Sequence, residues 1–249
     1  MLVNERQNEI VRYLQNRTTA TVRELARYFY VSEATIRRDL SEMQRLGLID
    51  RSHGGAGLPE GAGEISMFVR IEKNAKEKEI AVSNALKIIP PFVAAFIDSS
   101  STALSLARRM DFRGKTVVTH SLQTATAISR QRGAEVILLG GNLQYNMTSV
   151  SGSWTIAQIR EFSFDLSITS CAALSSEGSY ERSLVQRDIK RAAFERSKSR
   201  ILIADNTKFS CAAPFFTAPL SSFDKIVLNA PPPSAISLPP ELTSRLSFD

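Results

Sequence analysis

Two adjacent arginines stand in the stretch VSEATIRRDL, residues 31–40, and their neighbours decide what they are for. Ser32 is placed to cap a helix, and Ile36, Leu40 and Met43 fall at i, i+4 and i+7, an apolar stripe that must face a core. A step of about 100° per residue then puts Ala34, Arg38, Ser41 and Arg45 on the opposite face and Arg37 at its edge. Small residues let such a face approach a groove closely, and a guanidinium forks onto guanine or meets a phosphate. Ser32 and Thr35 add hydroxyls at the helix start. Arginines also decorate ordinary solvated helices, so the surrounding elements must decide between the two readings.

A second set of residues stands where apolar runs end. FIDSSSTALSLA places Asp98 after one such run and Ser100, Ser101 and Thr102 at a helix start, where hydroxyls and unpaired N–H groups suit an anion. VVTHSLQTA repeats the arrangement with Thr119, His120 and Ser121. LLGGN brings Gly140 and Gly141, which allow backbone to pass close to a ligand, and LIADNTKF supplies Asp205 for a sugar hydroxyl and Lys208 as a mobile charge for phosphate. Each feature alone is an ordinary cap or turn. Together they describe a pocket for a phosphorylated polyol. Catalysis on a sugar would need a positioned base, for which Asp98 and Asp205 are the candidates; the chain has two histidines, His53 and His120, and no carboxylate pair or nucleophile constellation. The reading is therefore a sensor and not an enzyme, with a sugar-phosphate isomerase or deaminase, or an effector-independent DNA-binding protein, as alternatives.

The elements that must hold these residues are legible in outline. Asn4 with Gln7, and Thr21 with Glu24, have the spacing of capping boxes ahead of two short helices, with Ile10, Val11 and Leu14 inward in the first and Val22, Leu25, Ala26 and Phe29 in the second. A tight turn at Tyr30 and Val31 leads into the arginine helix, which Gly47 stops. LIDRSH and GGAG then read as a short strand, a glycine turn and the start of a hairpin return, with Arg51 and His53 flanking the turn. Arg51 is placed to reach backbone or the minor groove, and His53 a phosphate. Helix, turn and reading helix followed by a wing is helix-turn-helix geometry, with the motif over residues 20–39.

Residues 3–58 thus form a mostly helical DNA-binding domain with a winged helix-turn-helix fold, and the Gly- and Pro-rich stretch at 59–66 is a linker. From 67 to 230 the pattern is α/β: runs such as FVAAFI, TVVT, EVILL, LSITSCAAL, RILIA and KIVLNA alternate with helical stretches, which implies a mostly parallel sheet covered on both faces. The Pro- and Ser-rich tail, 231–249, is expected as an edge excursion or loose end.

Composition sets bounds on this reading. The net charge is +6, yet up to Glu60 nine arginines face eight carboxylates, so DNA affinity must come from placed arginines and not from bulk charge. Cys171 and Cys211 are far apart and in no CxxC spacing, which suggests neither a disulfide framework nor a metal site; no cofactor is expected. No apolar run has membrane-spanning length and the N-terminus does not read as a signal peptide, so the protein is expected in the cytoplasm, with no membrane partner.

RQNEIVRYLQNRTTATVRELARYFYVSEATIRRDLSEMQRLGLIDRSHGGA resembles the DNA-binding domain of the DeoR family of bacterial transcriptional regulators, above all in VSEATIRRDL and the LGLI–R–HGG wing. More weakly, IDSSST is similar to the family's D-x-G-T-T loop, VVTHSLQTA to V-T-N-S, VSG at 150–152 to V-G, DIKRAAF to V-K-R-A-M, and LIADNTKF to L-A-D-S-S-K-F, while VILLGG is retained. The resemblance implies a repressor of carbohydrate uptake or catabolism genes. Its C-terminal domain would be related in fold to sugar-phosphate isomerases, bind a phosphosugar effector and drive assembly into a homo-oligomer, a dimer or tetramer, on a double-stranded DNA operator. Ser100 stands where the family has glycine, His120 where it has asparagine, and Ser170 and Ala173 where a glycine pair is common. A serine at 100 adds a side chain where backbone should approach phosphate.

Overall fold

The structure, a computed structural model, describes residues 3–17, 19–45, 47–52, 54–57 and 66–248. His53, the linker up to residue 65 and Asp249 lie outside the described residues. The chain forms two compact units. One comprises the described residues up to Lys73 with Tyr145–Met147, the other Asn74–Gln144 with the chain from Thr148 onward.

The first unit contains α1 (Val3–Arg17), β1 (Thr19–Thr21), α2 (Val22–Tyr28), α3 (Glu33–Arg45), β2 (Asp50–Ser52), β3 (Gly55–Gly57) and α4 (Met67–Glu72). α1 begins at Val3, so Asn4 lies inside its first turn and not at the cap its spacing to Gln7 suggests; helix ends follow packing as much as local capping. The second box forms as expected: Glu24 N–H donates to Thr21 Oγ1 at 3.1 Å and Thr21 N–H to Glu24 Oε2 at 2.8 Å. Thr35 N–H donates to Ser32 Oγ at 3.1 Å, capping α3. At its far end Gly47 takes φ +64, while Gly47 N–H reaches the Gln44 carbonyl and Leu48 N–H the Met43 carbonyl, both at 2.9 Å, which closes the helix. Ile10, Leu14, Leu25, Ile36, Leu40, Met43 and Ile49 are fully buried in the shared core.

A bidentate ion pair reinforces this core. Arg6 Nε donates to Asp39 Oδ2 at 2.5 Å and Nη2 to Oδ1 at 3.0 Å, tying α1 to the inner face of α3. The wing is a three-stranded sheet of order β1-β3-β2, with β1 an addition too short for periodicity to reveal. Gly55 is required there, since a Cβ would lie 2.3 Å from the Ala20 carbonyl oxygen.

In the second unit the chain runs α5 (Ala75–Ile88), β4 (Ala94–Ile97), α6 (Ser101–Arg109), β5 (Thr116–Thr119), α7 (Leu122–Ser129), β6 (Glu135–Leu138), β7 (Asn142–Gln144), β8 (Ser149–Ser151), α8 (Ser153–Arg160) and β9 (Phe164–Thr169). There follow β10 (Ala173–Leu174), β11 (Gly178–Glu181), α9 (Leu184–Glu195), β12 (Ser197–Ala204), β13 (Phe215–Pro219), β14 (Lys225–Leu228) and β15 (Leu246–Ser247). Seven parallel strands in the order β15-β14-β12-β9-β4-β5-β6 form the central sheet. α5, α6 and α7 cover one face over Ala95, Ile97, Val117 and Leu166, and α8 and α9 cover the other over Phe96, Val118 and Phe164.

Two features depart from the sequence expectation. LSITSCAAL is not one strand: β9 ends at Thr169, and Ala173 and Leu174 join a separate antiparallel sheet, β10-β11-β13. β7 and β8 form an additional hairpin. The tail, of the two alternatives expected for it, makes an edge excursion: it turns back and adds β15 to the edge of the central sheet beside β14. From β4 the chain proceeds outward through β5 and β6 in one direction, and from β9 through β12 and β14 in the other. β4 and β9 are therefore neighbours at a topological switch point, the place in open α/β sheets where ligands commonly bind at the carboxyl ends of the strands.

Candidate functional site

α3 presents two distinct faces. Ile36, Asp39, Leu40 and Met43 are buried, whereas Ser32, Ala34, Arg37, Arg38, Ser41 and Arg45 are exposed and Thr35 is half-buried. The arginines differ in what holds them. Arg37 Nη2 pairs with Glu33 Oε2 at 2.6 Å, and Arg45 Nη2 with Glu42 Oε1 at 2.5 Å. Neither carboxylate partner was part of the sequence expectation. Pairs as exposed as these are weakly held, because solvent screens the charges. Arg51 Nη1 donates to Ser41 Oγ at 3.0 Å, which lays the wing arginine against α3. Ser41 Oγ in turn donates to the Arg37 carbonyl at 2.8 Å. Arg38 is exposed and makes no ion pair or hydrogen bond among the described residues.

At the switch point of the second unit the strand ends converge on a buried charge cluster. Lys190, on the inner face of α9, lies 3.1 Å from Asp98 Oδ2, donates to the Ser170 carbonyl at 2.5 Å and pairs with Glu181 of β11. Asp98 is fully buried just after β4 and accepts from Ser100 N–H and Ser170 N–H, each at 3.0 Å. Burial alone would raise the Asp98 pKa; the Lys190 ammonium and the hydrogen bonds from Ser100 and Ser170 outweigh it and hold the carboxyl below its ordinary value. For Lys190 burial works toward neutrality, but Glu181 and Asp98 prevail and its pKa is raised. One cation between two carboxylates thus remains ionised in the interior.

Ser100 Oγ accepts from Ala103 N–H at 3.0 Å and caps α6. Its backbone, φ −77 and ψ 153, is one that any residue adopts, so nothing in the loop conformation requires glycine at this position. Ser101 and Thr102 are buried at the start of α6, and Thr102 Oγ1 lies 3.5 Å from Ser170 Oγ. Thr119 Oγ1 accepts from Ser121 N–H at 3.1 Å, and Ser121 Oγ caps α7 through Thr124 N–H at 3.2 Å. His120 is fully buried, stacked on Phe96 with 5.8 Å between centroids. Its Nε2 lies 3.3 Å from Gln186 Oε1, to which Ser99 Oγ also donates. The imidazole is therefore built into the interior next to α9.

Gly141 is exposed, and a Cβ there would lie 2.1 Å from Thr155 Oγ1 and 2.7 Å from the Ser151 carbonyl. Packing onto β8 and α8 is what excludes a side chain at 141. Ala173 is buried at the head of β10.

Asp205 follows β12 and is fully buried. Its Oδ1 accepts from the Thr207 hydroxyl and from Asn74 Nδ2, the latter at 3.3 Å, while Oδ2 has no partner among the described residues. The Thr169 hydroxyl, at the end of the adjoining β9, is likewise buried without a partner. Lys208, in the turn after Asp205, is half-buried and in no ion pair among the described residues. An open carboxylate oxygen accepts a hydroxyl proton, and an ammonium attracts an anion. Lys190, Glu181 and Gln186 carry no local sequence signal for this site. The stretch DIKRAAF contained Lys190, but only the fold reveals that α9 turns it toward Asp98.

A family model described as the DeoR-like helix-turn-helix domain matches residues 6–61, and one described as the DeoR C terminal sensor domain matches residues 73–230. The chain is 30% identical over 238 residues to the glycerol-3-phosphate regulon repressor of Escherichia coli (strain K12), covering 95% of this chain and 94% of that protein. It is 32% identical over 227 residues to the HTH-type transcriptional regulator GolR of Listeria innocua, covering 90% and 88%. The L-fucose operon activator of Escherichia coli (strain K12) is 29% identical over 209 residues, covering 82% and 86%. Among solved structures, a D-ribose-5-phosphate isomerase in complex with phospho-erythronic acid gives a TM-score of 0.39 at 14% identity, over 54% of this chain and 53% of that one.

Proposed function

The chain belongs to the DeoR family of transcriptional regulators, and on that premise we propose that it represses genes of carbohydrate uptake or catabolism and is released from its operator by a phosphorylated sugar or polyol. The relatives named as glycerol-3-phosphate regulon repressors, matched over nearly their whole length, support repression as the sign.

On the DNA side α3 is the reading helix. Arg38, exposed and unpaired, reads a base edge; Arg37 and Arg45 exchange their carboxylates for phosphates; Ser32, Ala34, Thr35 and Ser41 line the approach, and Arg51 reaches the backbone or minor groove from the wing.

The observation that carries the sensor side is Asp205, a buried carboxylate with one oxygen unpartnered among the described residues, followed three residues on by Lys208, which is in no ion pair among them. Leaving such an oxygen unsatisfied costs free energy, and a ligand hydroxyl removes that cost. Lys208 then meets the ligand's phosphate, with Asp98, Ser100, Ser101, Thr102, Thr119, Ser121 and Gly141 forming the strand-end rim. The second unit assembles a dimer or tetramer that presents two reading helices to two half-sites. The effector binds one arrangement of the subunits better than the other, and that difference in affinity is the allosteric signal.

A thermal-shift screen of sugar and polyol phosphates, sn-glycerol 3-phosphate among them, tests the sensor. At least one compound is expected to raise the Tm and to release a duplex selected from a random pool by the protein. If none does either, the sensor assignment is wrong.

A further inference from the structure

A tyrosine is an unexpected residue type at position 30. It is 94% exposed, and its backbone sits at φ +53, in the left-handed region that costs an L residue with a Cβ. The turn itself dictates that conformation. Val31 N–H bonds the Ala26 carbonyl at 3.1 Å and Tyr30 N–H the Arg27 carbonyl at 3.3 Å, the closure of α2 that glycine usually makes. Two other non-glycine residues share a positive φ among those described. Asn74 is of a type that tolerates it, and Thr148 uses its carbonyl to bond Leu122 N–H at 2.9 Å. Among the described residues the ring of Tyr30 packs against no other ring, whereas Tyr13, Tyr28 and Phe29 pack on one another.

The position of the residue supplies the reason for the side chain. Tyr30 stands two residues before Ser32, the cap of α3. When the first residues of a reading helix reach base edges, the chain entering that helix crosses the edge of the groove, where the phosphates run. A phenol is long, amphipathic and a neutral O–H donor, suited to a phosphate oxygen.

We propose that Tyr30 donates its phenol O–H to a DNA backbone phosphate at the edge of the groove that α3 enters. The proposal rests on α3 being the reading helix.

The test uses fluorescence anisotropy with the full chain and a labelled duplex selected from a random-sequence pool by the wild-type protein. Tyr30→Phe leaves the backbone untouched and is expected to weaken binding about tenfold. Its log–log salt slope should stay that of the wild type, because a neutral donor releases no counterion. Tyr30→Gly should weaken binding at least as much while the Tm holds or rises, since glycine accepts the left-handed conformation. Wild-type affinity in Tyr30→Phe overturns the phosphate contact. So does unchanged DNA binding in Tyr30→Gly, including the case in which only self-association falls. Arg38→Ala, measured alongside, separates the two failures: if it too binds like the wild type, the reading-helix assignment has failed and not Tyr30 alone.

Discussion

Lys190 Nζ lies 3.1 Å from Asp98 Oδ2, and both side chains are almost wholly removed from solvent. Glu181 completes the cluster, so a single ammonium joins the end of β4, the α9 helix and the small antiparallel sheet. Substituting Lys190→Met strands two buried carboxylates. The expected loss of stability is about 3–5 kcal/mol, read as a lowered urea midpoint. The double variant Asp98→Asn, Lys190→Met should lose less than the two single losses added together. Strict additivity would show that the pair is not coupled.

The same cluster predicts how stability depends on pH. Asp98 has a folded pKa below its unfolded value of about 3.9, so its contribution is complete above that value and is lost as the pH falls through the lower folded one. Lys190 has a folded pKa raised above about 10.4, so its contribution is complete below that value and is lost as the pH rises through the higher folded one. Asp98 and Lys190 should therefore add no pH dependence between about 5 and 9. Urea midpoints should fall more steeply below about pH 4 in the wild type than in Asp98→Asn; equal slopes would contradict the assignment.

Arg37 and Arg38 are neighbours in sequence with different surroundings, one paired with Glu33 and one in no ion pair among the described residues. Arg38→Ala is expected to cost about 1–3 kcal/mol on the selected duplex and little on mixed-sequence DNA. Arg37→Ala should weaken both duplexes alike and reduce the salt slope by about one. Equal losses on both duplexes for Arg38→Ala would make it a phosphate contact instead.

What the sequence disclosed follows from how local each signal is. Thr21 with Glu24, Ser32 ahead of α3 and Gly47 after it act within one helical turn, and their hydrogen bonds form as their spacing suggests. The strand ends at Asp98, Thr119 and Asp205 were legible because an apolar run followed by hydroxyl or acidic residues marks where a buried strand stops. Lys190 and Glu181 were not, because their meaning depends on which elements α9 and β11 lie against. Ser170 illustrates the same limit inside LSITSCAAL. Its N–H bonds Asp98 and its carbonyl bonds Lys190, so the chain leaves the central sheet where apolar content alone predicts it to continue. The partners Glu33 and Glu42 were visible in the sequence at helical spacing, yet the inward stripe drew the reading to the arginines alone.

The most direct test of the regulatory account is release of the bound duplex. Fluorescence anisotropy of the wild-type complex is followed during titration with sugar and polyol phosphates and with their unphosphorylated counterparts, and repeated with Lys208→Ala. The account predicts that a phosphorylated compound releases the wild-type protein while its unphosphorylated counterpart does not. Lys208→Ala should bind the same duplex with unchanged affinity and stay bound. Release by neither form, or full release of Lys208→Ala, would contradict it.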